Sequence, residues 1–164
     1  MSLISRTNTF TLHVRNQCPW TKEVGLYKIT PAFQMIQMSK PINLDHGQTI
    51  ELPAPYFETG MRLSAHTEKG TDWQWNPQAL FEFGYSSWNG LEGTAYDLSV
   101  MKGSDKDIGI AVTPFNHQCE AKVCFPGSCA LKEGWTAPDQ VYRGSPADTV
   151  CYKGKTDFLV VFCP

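Results

Sequence analysis

Hydrophobic and polar positions along this chain mostly alternate, and they rarely recur at helical spacing. In Asn8–Arg15 (NTFTLHVR), Phe10, Leu12 and Val14 fall on one face and Thr9, Thr11 and His13 on the other, which predicts a half-buried strand. After a turn through Pro19, Glu23–Thr30 (EVGLYKIT) predicts a second strand. The His46-Gly47 turn leads into a strand over Gln48–Leu52. Pro53, Pro55 and Gly60 then break the chain before another strand at Met61–His66. Further strands are expected around Leu80–Tyr85, Thr94–Val100 and Asp107–Pro114. Asp157–Pro164 (DFLVVFCP) is nearly continuous in apolar residues, as expected of a strand buried on both faces or between two sheets. Pro31–Asp45 is less regular, and its Met35 and Met38 suit core filler. Phe115–Val150 is rich in Cys, Pro and Gly without a period, the pattern of a loop region pinned by bridges.

Composition agrees with this reading. With 13 Gly, 11 Pro and 12% aromatic residues, the chain suits many short strands joined by turns better than a helical bundle. Its 164 residues fit one domain, and no repeat, low-complexity tract or linker divides it. A formal net charge of −2 and scattered Lys and Arg give no stripe for nucleic acid. No apolar run is long enough to span a bilayer as a transmembrane segment. The six cysteines contain no CxxC pair, and their even count favours a disulfide framework in an oxidising compartment over zinc. The first residues, MSLISRTNTF, lack the apolar core of a signal peptide, so a secreted protein here implies a mature chain behind an initiator Met. His13, His46 and His117 show no metal-ligand spacing, and no cofactor is expected.

Two acids sit inside strand-like runs and not in loops: Glu82 and Asp97. A carboxylate there is costly to bury and needs a partner or a wet cleft. It serves either as an anchor for loop N–H groups or as a member of a site. Trp73 and Trp75, in EKGTDWQWNP, suit either stacking on sugar rings or capping one end of the core.

The order of short motifs resembles the thaumatin-like protein family. FTLHVRNQC and VVFCP are similar to the two ends of such proteins, AHT at Ala65–Thr67 to the family's ART, and HQCEAKVC to GCRGVRC. Between them, FEF…YDLSVMKGS…IAVTP resembles the run AEF…YD(I/V)S…G…P. The resemblance covers most of the chain from Phe10 onward and implies an antiparallel β-sandwich, a small disulfide-rich loop region beside it and a cleft between the two. It also implies the bridges Cys18–Cys163 and Cys119–Cys151, with Cys124–Cys129 as the remaining pair.

Family members often line the cleft with an Arg and several acids, and some bind or slowly hydrolyse β-1,3-glucans. By this resemblance Glu82 and Asp97 are the catalytic candidates, and Asp148 is a third acid of the cleft. The chain departs from the family where its Arg becomes His66 and an acid becomes Lys102, with Asp105 and Asp107 following in a two-residue insertion. Two carboxylates flanking a sugar can act as general acid and as base or nucleophile, here Glu82 as acid with Asp97 or Asp107 assisting water. A cationic Lys102 disfavours a protonated acid, so binding is expected ahead of cutting. The expectation is a secreted, monomeric protein that binds β-1,3-glucan or a related cell-wall polysaccharide, with a defence or cell-wall role. His66, Trp73, Trp75, Asp105, Asp107 and Asp148 would contact the ligand. The alternatives are a weak endo-β-1,3-glucanase, and an effector or enzyme inhibitor that binds a protein through a patch including Trp73, Trp75 or Trp88.

Overall fold

The computed structural model of the chain describes residues 8–32, 34–65, 79–100, 108–137, 140 and 147–164, and every helix- or strand-length element among them is a β-strand. The N-terminal half supplies β1 (Thr9–Asn16), β2 (Lys22–Ile29), β3 (Met35–Gln37), β4 (Ile42–Leu44), β5 (Thr49–Pro55) and β6 (Met61–Ser64). The C-terminal half supplies β7 (Leu80–Trp88), β8 (Leu91–Ser99), β9 (Ile110–Pro114), β10 (Lys122–Cys124), β11 (Thr149–Cys151) and β12 (Phe158–Phe162). They form two sheets, one ordered β10-β9-β12-β1-β5 and the other β11-β8-β7-β6-β2-β3, with β4 also pairing β2. The chain is an all-β sandwich, antiparallel except where β1 runs parallel to β12.

The alternating faces of both sheets close on one core. Phe10, Leu12 and Val14 of β1 and Phe158, Val160 and Phe162 of β12 are buried from one side. Leu26, Met61, Leu63, Phe81, Phe83, Tyr96 and Leu98 are buried from the other. The sheets meet through aromatic rings, Phe10 on Phe83 at 5.5 Å and Phe158 on Phe81 and Tyr96 at 5.4 and 5.3 Å. Such ring pairs each stabilise by about 1 kcal/mol beyond the area they bury. In β12 only alternate residues are buried. Leu159 and Val161 are half-exposed on the outer surface, so the unbroken apolar run does not mark a strand covered on both faces.

Parallel pairing of the first and last strands brings their C-terminal ends together, with Asn16 opposite Phe162. Two residues on from one end and one from the other, Cys18 and Cys163 form a bridge across 145 residues of sequence. The buried Asn16 fixes this corner. Its amide donates to the carbonyls of Trp20 and Leu44, and its side-chain oxygen accepts from the Cys18 N–H. Cys119–Cys151 and Cys124–Cys129 are the other two bridges, so all three pairs are those the resemblance implies.

Several elements differ from the sequence-based expectation. The strand expected to stop before Pro53 continues through both prolines to Pro55. It can do so because β5 is an edge strand. Tyr56 N–H donates back to Asn8, so the alternate positions 53 and 55 turn their nitrogens away from β1, where no ladder bond is needed. Short strands β3 and β4 occupy the irregular stretch after Pro31. Strands β10 and β11 give the Cys-rich stretch more order than a plain loop. The β7–β8 hairpin also runs further than expected, to a last pair Trp88–Leu91. Asn89 and Gly90, at φ 53° and 77°, close it as a two-residue turn whose twist matches the strands.

Candidate functional site

Glu82 and Asp97 point to the same side because they are directly paired across β7 and β8. Arg62 lies opposite Glu82 on β6, so one register line carries all three side chains to the outer face of the larger sheet. The register of β11 on β8 places Thr149 opposite Tyr96, and one step further brings Asp148 level with Asp97. Arg62, Glu82, Asp97 and Asp148 form a row across the sheet, about 14 Å long at the usual strand spacing.

Each member of the row has its own surroundings. Arg62 Nη2 and Glu82 Oε2 form an ion pair at 3.1 Å, with both side chains about three-quarters buried. Asp97 is the most enclosed, and its Oδ1 is buried without a hydrogen-bond donor. Burial first, then the charges of Glu82 and Asp148, push its carboxyl well above the usual range, which holds a proton on it at neutral pH. Asp148 is exposed and accepts a hydrogen bond from Trp135 Nε1 at 2.8 Å. The Trp135 backbone is itself fixed to the end of β8, its N–H donating to Leu98 and its carbonyl accepting from Val100.

The row offers a guanidinium and a protonated acid as donors, two carboxylates as acceptors, and an indole at one end. Glu82 is paired with Arg62, and Asp97 is the acid of the row whose carboxyl burial and its neighbours push upward. Sequence reasoning found Glu82, Asp97 and Asp148 and missed Arg62 and Trp135. Arg62 was within reach, because Met61–Ser64 alternates and its even position pairs with that of Glu82 once the two strands are set antiparallel. Trp135 lies in an aperiodic stretch and gave no such signal. His66, Trp73, Trp75, Lys102, Asp105 and Asp107 lie outside the described residues. Among the described residues, no group of three His, Cys, Asp or Glu side chains is placed to hold a metal ion. No helix there is long and apolar enough to cross a membrane.

No family model matches the chain, and no curated protein does so. Among solved structures it is similar to the protein elicitor MoHrip2 from Magnaporthe oryzae, with a TM-score of 0.64 over 94% of this chain and 99% of that one. Sequence identity is 17%. The likeness is one of fold. It covers nearly the whole of both chains, so the two-sheet architecture is shared between them.

Proposed function

We propose that this chain is a secreted, thaumatin-like protein that binds β-1,3-glucan or a related cell-wall polysaccharide through the row Arg62, Glu82, Asp97 and Asp148. The observation that carries this reading is the row itself. Four hydrogen-bonding side chains, three from neighbouring strands and Asp148 from just before β11, face one surface with donors and acceptors mixed. A neutral, hydroxyl-rich chain can both donate to and accept from such a line, whereas an anionic one would meet two carboxylates. Trp135 adds an indole on which a sugar ring can stack. The three disulfides support an oxidising, extracellular setting. The description of the fold neighbour as a protein elicitor supports a role between organisms.

Binding is favoured over cutting because the protonated acid is the most enclosed member of the row and Glu82 is tied to Arg62. Slow hydrolysis is the second reading, and one observation favours it: a carboxyl kept protonated beside two carboxylates is the group a glycosidase uses as general acid.

Depletion from solution by insoluble β-1,3-glucan tests the first reading. The wild type is expected in the pellet, and Arg62→Ala and Glu82→Gln should bind about tenfold more weakly, the loss of one charge-assisted contact. A wild type that stays in the supernatant overturns it. Reducing-sugar release from soluble glucan, abolished in Asp97→Asn, would bring the second reading forward; a wild type that releases none removes it.

A further inference from the structure

The line of side chains through Glu82 and Arg62 does not end at Arg62. Strand β2 flanks β6 on the side away from β7, and its Tyr27 stands directly opposite Arg62. Directly opposed residues share a face, so Tyr27 joins the outer surface of the larger sheet. Gln37 on the edge strand β3 is opposite Tyr27 in turn, and it is exposed. From Tyr27 to Asp148 the line crosses β2, β6, β7, β8 and the start of β11, about 19 Å at the usual strand spacing.

The Tyr27 ring lies down on the sheet. A β-carbon placed on Gly25 would sit 2.7 to 2.9 Å from Cε2, Cζ and the hydroxyl oxygen of Tyr27. Those atoms are the far end of the side chain, so it runs back along β2 and covers Gly25, which is buried although its position faces outward. Glycine leaves the room that the ring needs there. Tyr27 itself keeps part of its surface exposed. Its hydroxyl is carried towards Glu23, the next position after Gly25 on that face. Burial first, and then the Glu23 charge, push its ionisation upward. The side chain thus offers a ring face outward and sends its polar end along the strand.

We propose that Tyr27 is a stacking platform, and that the site takes an extended, neutral glycan chain lying across the strands. One sugar unit rests on Tyr27, the middle of the chain meets Arg62, Glu82 and Asp97, and another unit reaches Trp135. This inference rests on the glycan reading of the row and adds to it a second aromatic end and a preferred chain length. A tyrosine laid flat gives a broad apolar face beside a guanidinium. A pyranose ring matches that pair, with a C–H face for the platform and hydroxyls at its rim for the polar neighbour. A purely aliphatic ligand would cover the ring but strip water from the Arg62–Glu82 pair without replacing it. Aromatic rings at the two ends of a polar line suit a linear chain better than a single sugar, which can engage one end alone.

Titration calorimetry with laminaribiose and laminarihexaose tests the proposal. The wild type should bind the hexaose more tightly than the disaccharide. Tyr27→Leu should weaken hexaose binding about fivefold, the share of one ring contact, and Tyr27→Phe should bind as the wild type does. Gly25→Ala separates the platform from the fold. Its methyl displaces only the end of a flexible side chain, and Gly25 lies outside the left-handed backbone region. The thermal midpoint of Gly25→Ala should therefore stay or rise while hexaose affinity falls as in Tyr27→Leu. Hexaose binding that Arg62→Ala weakens and Tyr27→Leu does not would overturn the platform and leave the row reading standing. A wild type that binds no hexaose overturns both. The platform also fails if Gly25→Ala binds as tightly as the wild type, if Tyr27→Phe binds as weakly as Tyr27→Leu, or if the wild type binds the two sugars equally.

Discussion

Asp97 shows how one residue's surroundings decide what its neighbours can do. Its carboxyl titrates above the unfolded value of about 3.9 because it is buried and flanked by Glu82 and Asp148. The native state keeps a proton that the unfolded chain has released, so stability is full below that unfolded value and declines as the pH rises towards the native one. Unfolding free energies from denaturant curves between pH 4 and pH 8 should fall for the wild type by up to about 1.4 kcal/mol per pH unit. Asp97→Asn carries no titrating proton and should flatten the curve, matching or exceeding wild-type stability at pH 8. Equal slopes in the two proteins would show that Asp97 is not the group. The acids of the row were legible because a carboxylate inside an alternating run stands out against its cost. Arg62 and Trp135 were not, since their meaning depends on which strand lies beside which, and that is a property of register.

At the scale of elements, strands with clean alternation were read correctly, and the errors have physical causes. Proline at positions 53 and 55 reads as a breaker in the sequence, yet on an edge strand its missing N–H costs nothing when it faces away from the neighbour. The Asn89-Gly90 pair is a hairpin signal in its own right, and pairing runs on to it beyond the expected strand ends at Tyr85 and Thr94. Strand β8 is also held closely by the segment around β11. A β-carbon at Gly93 would sit 1.6 Å from the Cys151 carbonyl oxygen and 2.7 Å from its carbon. Backbone cannot move aside as a flexible side chain does. Gly93→Ala should cost about 3 kcal/mol, the upper part of the usual overpacking range. A thermal midpoint within a degree of wild type would mean that β11 is not seated there.

For the whole molecule, the sheet class could be read from the turns and the alternation, while the joining of the chain's two ends came only with the family resemblance. Nothing in the periodicity of β1 or β12 says that they are parallel neighbours. The bridges follow that topology unequally. Cys18–Cys163 spans 145 residues and Cys124–Cys129 only 5. On the chain-entropy model the first constrains the unfolded chain by about 5 kcal/mol and the second by about 2. Replacing Cys18 and Cys163 together by Ser should lower the unfolding free energy by at least twice as much as the same change at Cys124 and Cys129, read from urea curves. Equal losses would indicate that native-state strain, and not loop length, governs them.

The position of β1 has a further consequence for how the protein is made. It sits between β5 and β12, so one of its two edges waits for the strand at Phe158–Phe162. At ordinary rates of translation the ribosome needs roughly 7 to 30 seconds to travel from the end of β1 to the start of β12. Through that interval an apolar strand stands open in what will be the middle of a sheet, available to any other nascent strand nearby. A message truncated before Phe158 would leave that edge open for good, and such a product should be a client for chaperones and proteases.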